Sequence, residues 1–212
     1  CISSAASDVY KRQDIVIPVP DSGVPAALGY SESSGIPFEL SIIRNHYVGR
    51  TFIQPTQSNR QSSVKLKHNP DRSSIKGKKV VLIDDSIVRG TTSVKIVQLM
   101  KEAGASEIHM RIGCPPIKFP DFYGIDTPET EQLLASNKNL EEMSKFIGAD
   151  TLGFLSLNGL YKSMGFREGR NEDNPEYTDH CFTGDYPTVL DDYKSEKVQE
   201  QLSLLSENES QN

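Results

Sequence analysis

What the sequence has little of narrows its chemistry first. Its 212 residues hold no uninterrupted apolar run of the roughly 18 residues a membrane-spanning helix needs, so no membrane partner is expected. Cysteine is scarce: Cys1, Cys114 and Cys181 lie far apart and form no CxxC pair. That removes the usual spacing of a metal or dithiol site and points to a reducing compartment, the cytoplasm by default. A basic excess is missing too, with 23 Lys and Arg against 29 Asp and Glu and a net charge of −6. No nucleic-acid partner is expected, because phosphate backbones want a basic face, and an anionic ligand must be held by local chemistry. Neither GxxxxGK[ST] nor GxGxxG occurs, which argues against a P-loop nucleotidase or a dinucleotide-binding domain. No internal repeat is present.

With 36% hydrophobic residues, the chain can bury one sizeable core. Asp14 to Pro20 (DIVIPVP) reads as a short buried strand, and Val24 to Tyr30 as a helix with Pro25 suited to its first turn. Ser33-Ser34-Gly35 ends that helix, and Pro37 to Ile43 (PFELSII) reads as a second strand, completing a βαβ unit. Residues 44–74 are polar and without clear periodicity. They carry Arg44, Arg50, Arg60, Lys65, Lys67 and Arg72 against Asp71 alone, a locally basic loop in an acidic protein.

A second unit follows. Val80 to Ile83 is a strand, Thr91 or Thr92 is placed to cap a helix running to about Ala103, and Gly104 stops it. Glu107 to Ile112 returns as a strand. Thr127-Pro128 opens a further helical segment, and Asn139 with Glu142 forms a capping pair for a helix that should bury Leu140, Met143 and Ile147. From about Glu168 the chain turns polar, with a last helix expected near Val198 to Leu205. The predicted fold class is α/β, an open, mostly parallel sheet flanked by helices. In such sheets ligands sit beyond the carboxyl ends of the strands.

Two segments fall at those ends: Asp21-Ser22-Gly23, and the loop inside VVLIDDSIVRGTTS (Val80 to Ser93). Amides from Ser86 to Thr92 precede a helix, Gly90 permits close backbone approach, and Thr91, Thr92 and Ser93 add hydroxyl donors. Together they make an anion site that suits a phosphate. Asp84 and Asp85 beside it would repel an anion unless they accept sugar hydroxyls or help hold Mg²⁺ bound to phosphate oxygens. Both roles fit a ribose phosphate.

VVLIDDSIVRGTTS resembles the phosphoribosylpyrophosphate (PRPP) motif of type I phosphoribosyltransferases. The segments DIVIPVPDSGVPAALGY, IIRNHYVGRTFIQPTQSNRQSSVKLKHNP, MRIGCPPI and FYGIDTP resemble, in order, the glutamine PRPP amidotransferases. The likeness covers roughly Asp14 to Pro187 and implies the type I phosphoribosyltransferase fold over 14–190, with a flexible loop at about 44–74 and a polar, partly helical tail at 191–212. It implies transfer of the phosphoribosyl group of PRPP to ammonia, giving 5-phosphoribosylamine and pyrophosphate, the first step of purine biosynthesis. By the same resemblance, Asp84 and Asp85 bind the ribose hydroxyls and, with Ser22, the Mg²⁺ region. Ser86, Arg89, Gly90, Thr91, Thr92 and Ser93 lie in the loop that cradles the 5′-phosphate, and Asp21, Ser22 and Gly23 form the pyrophosphate loop. Arg50, Lys65 and Lys67 are the implied catalytic cations that neutralise departing pyrophosphate. The resemblance further implies purine nucleotides as inhibitors and a homo-oligomer for the full-length enzyme.

The sequence departs from that family at three places. Residues 1–13 join no pattern and are expected to be foreign to the domain. The family's glutaminase domain begins with a nucleophilic cysteine, but ISSAASDVY does not resemble its start. Cys1 is therefore not expected to act as one, and the domain is expected to be missing, leaving free ammonia as the acceptor. Some relatives hold a [4Fe-4S] cluster on four cysteines. Here Asp121 and Thr178 stand at two of those positions and Cys181 at another, so no iron–sulfur cluster is expected and His180 and Cys181 are read as structural. Two alternatives remain at this stage: a PRPP-binding regulator without turnover, which would usually add a basic helix-turn-helix not found here, and a nucleobase phosphoribosyltransferase.

Overall fold

Strand β4 (Lys79–Asp84) runs through the centre of the protein because its apolar side chains are buried on both faces, as a parallel strand covered by helices on each side requires. The structure, a computed structural model, describes residues 13–45 and 68–190. In chain order its elements are β1 (Ile15–Pro18), α1 (Val24–Ser34), β2 (Ile42–Arg44), β3 (His68–Pro70), α2 (Arg72–Ile75), β4, α3 (Thr91–Glu102), β5 (Glu107–Ile112), a 3₁₀ turn (Thr130–Gln132), α4 (Leu134–Asn137), α5 (Leu140–Ile147), β6 (Thr151–Phe154), α6 (Leu157–Ser163) and α7 (His180–Thr183). Four strands form one parallel sheet in the order β1-β4-β5-β6, with Ile17 opposite Leu82 and Leu82 opposite Met110. No helix among the described residues is long and apolar enough to cross a membrane.

The two-residue period of the strands sorts the core. Ile15, Ile17, Val80, Leu82, Ile108 and Met110 point to one side, where Ile96, Val97 and Met100 of α3 and Met143 and Ile147 of α5 cover them. Val16, Val81 and Ile83 point to the other, against Ala27 and Tyr30 of α1. Gly35 ends α1 in the left-handed region, at φ 73°, as expected from its place after the serines.

Several expectations need correction. The segment 37–43 is not a strand of the main sheet: Phe38 makes a single bridge to Val16, and β2 then pairs antiparallel with β3 in a separate two-stranded sheet. Pro37 offers no N–H to a ladder, and Leu40 and Ile43 are exposed. The stretch 44–74 is not structureless throughout, since β3 and α2 lie within it. Asp71 caps α2 through the Ser73 amide at 2.9 Å. The cap of α3 is Gly90 at φ 74°, not Thr91 or Thr92, which are the first helical residues. Thr127-Pro128 opens no regular helix; the 3₁₀ turn and the single-turn α4 follow it.

The capping box of Asn139 and Glu142 is present, with bonds of 2.9 and 3.0 Å, but Leu140 is 48% exposed. Leu140 is the first helical residue and lies at the helix start, outside the core that Met143 and Ile147 join. Strand β6 and helix α6 were not foreseen. Gly153 weakens the strand pattern of TLGF for a reason the fold supplies: a Cβ there would lie 3.2 Å from Arg111 Cδ. Arg111 uses that room to donate to Thr151 Oγ1 and to the Met110 carbonyl, both at 2.9 Å.

The polar part after Glu168 is held by a largely buried network. Arg170 donates to Asp179 at 2.7 Å and to Asp185 at 2.6 Å, and the Tyr161 hydroxyl donates to Asp179 at 2.8 Å. Burial, then the Asp179 bond and its charge, push the Tyr161 hydroxyl up to about 12. The N-terminal segment up to residue 12 and the expected C-terminal helix near Val198 lie outside the described residues.

Candidate functional site

The carboxyl ends of β1 and β4 open into a cleft of about 780 Å³, large enough for a nucleotide-sized ligand. The sheet registers position both walls. Val19 continues β1 and donates to the Ile83 carbonyl at 2.7 Å, and the chain then turns through Pro20 to Gly23, with a cis peptide between Pro20 and Asp21. Gly23 does not line the cleft. A Cβ there would sit 2.5 Å from the Ile83 carbonyl oxygen and 2.8 Å from that of Val19, so glycine lets the loop lie down on β4. Asp21 and Ser22 are exposed and line the wall, as do Asp84, Asp85, Ser86, Arg89, Gly90, Thr91, Thr92 and Ser93. The structure thus brings together every described residue assigned from the sequence, with Gly23 acting from beneath. Arg50, Lys65 and Lys67 lie outside the described residues.

The two carboxylates differ sharply. Asp84 is 6% exposed and receives one backbone bond, from the Asp85 amide at 3.0 Å. Burial, and then the neighbouring Asp85 charge, push its carboxyl up from 3.8 to about 7. Asp85 is exposed and accepts from the Ser86 amide at 2.7 Å. A divalent cation fits this pair: it would supply the positive charge that a buried carboxylate beside a second carboxylate lacks. Mg²⁺ suits the all-oxygen donors of Asp84, Asp85 and Ser22. Cys114, at the end of β5, stays a protonated thiol, since burial and both aspartates push it up to about 12.

The N-terminus of α3 opens on the cleft, and neither it nor that of α1 carries a side-chain cap among the described residues. Helix α1 starts after Gly23 and α3 after Gly90, and neither has an acidic residue in its first turn. Side chains cap α2, α5 and α6, through Asp71, Asn139 with Glu142, and Ser156 at 3.0 Å from the Gly159 amide, whereas the one-turn helices α4 and α7 also lack a side-chain cap. The uncapped start of α3 leaves first-turn amides and a positive dipole end for an anion, while at α1 the Val24 amide already donates to the Asp21 carbonyl at 3.3 Å and Pro25 has no N–H. Gly90 is held at φ 74°, and a Cβ on it would lie 2.7 Å from Leu134 Cδ2 and 3.2 Å from Phe146. The loop is braced from that side, where the Leu134 amide donates to the Val88 carbonyl at 2.9 Å.

Sequence reasoning missed three participants. Arg44 ends β2, lines the cleft and forms an ion pair with Asp21. Its Nε has no hydrogen-bond partner among the described residues, which leaves a donor for a ligand. His68, its register partner on β3, lines the same wall. Arg44 lies before and His68 after the stretch 46–67 in sequence. Gln132 accepts from Arg89 Nε at 2.9 Å and so holds the guanidinium in place. No periodic pattern marks these residues, and their proximity comes from long-range topology.

Thr178 is exposed, while Asp121, His180 and Cys181 converge within 4.8 Å. One thiol among those donors does not fit a cluster that takes four thiolates.

Comparison with known proteins follows the same lines. The phosphoribosyl transferase domain family matches residues 2–114. The amidophosphoribosyltransferase of Rhizobium etli is 61% identical over 196 residues, covering 92% of this chain and 39% of the relative. That of Methanothermobacter thermautotrophicus is 53% identical, covering 84% and 36% respectively. Among solved structures, the glutamine PRPP amidotransferase from B. subtilis complexed with ADP and GMP superposes with a TM-score of 0.75 at 50% identity, covering 87% of this chain and 40% of that one. The chain therefore spans about two fifths of the length of the relatives it matches.

Proposed function

This chain belongs to the phosphoribosyl transferase domain family, and from that membership we propose that it performs the phosphoribosyl transfer of an amidophosphoribosyltransferase. The donor is PRPP, the acceptor ammonia, and the products 5-phosphoribosylamine and pyrophosphate. The observation that carries the proposal is the pairing, in one cleft, of the uncapped N-terminus of α3 and the Asp84-Asp85 pair, with the Asp21-Ser22 turn on the facing wall. PRPP has the matching anatomy: a phosphate at one end, a diphosphate at the other, and ribose hydroxyls between them.

Each part then has a task. The amides and hydroxyls from Ser86 to Ser93 hold the 5′-phosphate at the start of α3, with Arg89 adding charge at the rim. Asp85 accepts from the ribose hydroxyls. The turn at Asp21 and Ser22 receives the diphosphate, and the Arg44–Asp21 pair keeps a cation beside it. Mg²⁺, held by Asp84, Asp85 and Ser22, would supply charge neutralisation at the diphosphate when bound. Ammonia nitrogen bonds to C1 of the ribose as the C1–O bond to pyrophosphate breaks. The electron pair leaves with pyrophosphate, and the ammonium proton passes to solvent. The chain's contribution is positioning and stabilisation of growing negative charge, in which Arg50, Lys65 and Lys67 share. Purine nucleotides, as phosphate-bearing competitors, would act as inhibitors, and cytoplasmic location and self-association belong to the same proposal.

The test is pyrophosphate release from PRPP with Mg²⁺. Ammonium-dependent release supports the assignment. Release only with a nucleobase would replace it with a salvage transferase, and PRPP binding with no release under any acceptor would replace it with a sensor.

A further inference from the structure

Outside the cleft, three side chains of different chemistry meet: Asp121, from the segment after β5, and His180 and Cys181, at the start of α7. A carboxylate oxygen, an imidazole nitrogen and the Cys181 sulfur all lie within 4.8 Å of one another. We propose that they bind a single divalent transition-metal ion, with zinc the best match and water as the fourth ligand. A mixed O, N and S donor set suits a borderline ion such as zinc. Magnesium and calcium prefer oxygen alone, and an iron–sulfur cluster takes several thiolates.

The surroundings fix the donors before any ion arrives. Asp121 Oδ2 accepts from the Tyr123 amide at 2.9 Å and the Ile125 amide at 2.7 Å, which aims Oδ1 at His180 Nε2, 2.8 Å away. The Cys181 carbonyl accepts from the amides of Lys118 at 2.8 Å and Phe119 at 3.1 Å, so α7 is stapled to the segment that carries Asp121. Zinc bonds of about 2.0–2.3 Å separate tetrahedral ligands by roughly 3.3–3.8 Å. The Asp121–His180 pair must then open by about half an ångström as the sulfur closes in. The imidazole has that freedom. It is buried between Tyr123 and Tyr186, with ring centroids 5.1 and 5.0 Å away, but its Nδ1 has no hydrogen-bond partner among the described residues. It is anchored at one nitrogen and can pivot.

Without metal, Cys181 carries a thiol proton and His180 shares a proton with Asp121. The ion would displace the thiol proton to solvent and leave the imidazole proton on Nδ1, and the carboxylate and thiolate would balance its two positive charges. The resulting clip would join segments 59 residues apart in sequence.

The test uses the full chain, stripped of metal with a chelator and titrated with Co²⁺, then Zn²⁺. One equivalent of Co²⁺ should give a thiolate-to-cobalt charge-transfer band that Zn²⁺ abolishes. Cys181→Ser should lose the band, Cys114→Ser should keep it, and Asp121→Asn should weaken Zn²⁺ binding at least about tenfold with an unchanged circular dichroism spectrum. Co²⁺ binding without the band would assign the ion to oxygen donors such as the Asp84-Asp85 pair and overturn the proposal. A band that survives Cys181→Ser, or no binding at all, would overturn it equally.

Discussion

Asp84→Asn is expected to stabilise the ligand-free protein above neutral pH while weakening its hold on Mg²⁺ and PRPP. The folded Asp84 carboxyl titrates at about 7, against 3.8 when unperturbed. Below pH 3.8 both folded and unfolded chains carry the proton, and the stabilising effect of the raised value is fully present. As pH rises, the unfolded chain releases its proton first, and stability is lost at about 1.4 kcal/mol per pH unit until the folded group also ionises. Across the whole window that amounts to about 4 kcal/mol, an order-of-magnitude figure for one buried carboxylate. Asn has nothing to ionise and escapes the loss. The stability gap between variant and wild type should therefore widen by about 3 kcal/mol from pH 5 to pH 8. In urea that is a relative midpoint shift of about 1–2 M. A gap of the same size at both pH values would refute the electrostatic account of Asp84. With Mg²⁺ and PRPP present at pH 8 the order should reverse, because the cation then meets a carboxylate only in the wild type.

Further outcomes follow from other parts of the structure. Gly90→Ala places a Cβ on a residue at φ 74°, about 1–2 kcal/mol of backbone strain, and pushes it against Leu134 and Phe146. The PRPP KM should rise about tenfold or more, and an unchanged KM would detach this loop from phosphate binding. Gln132→Ala frees Arg89 from its 2.9 Å partner and should raise the PRPP KM roughly two- to tenfold with kcat little altered. Arg170→Ala strands the buried Asp179 carboxylate without its cation and should destabilise by about 3–5 kcal/mol in denaturant unfolding. Arg170→Lys should recover only part of that loss, because a single ammonium cannot reproduce the fork to Asp179 and Asp185.

The parts of this fold that could be read from sequence are those whose signal is local. Buried parallel strands show as unbroken apolar runs, so β1, β4 and β5 were visible, and the anion loop was visible because glycine, hydroxyls and aspartates fall together after a strand. What escaped was set by contacts between distant residues. Strand β6 is disguised by Gly153, whose missing side chain makes sense only beside Arg111. Arg44 and His68 reach the cleft because β2 pairs with β3 across an intervening stretch of more than twenty residues, which no periodicity reports. The segment Pro37 to Ile43 misled in the opposite direction: its apolar residues promised a sheet strand, yet Leu40 and Ile43 face outward.

The helix that begins at Thr91 has first-turn amides that no side chain among the described residues caps, and an anion could complete it. Side chains complete α5 and α6 from within the chain; under the proposed function the donor substrate would complete this one, and PRPP would be part of the fold as well as its cargo. The carboxyl edge of the sheet should accordingly exchange its amide hydrogens fastest when empty and slow most when substrate binds. Inorganic phosphate alone should recover part of that protection, centred on the loop before Thr91.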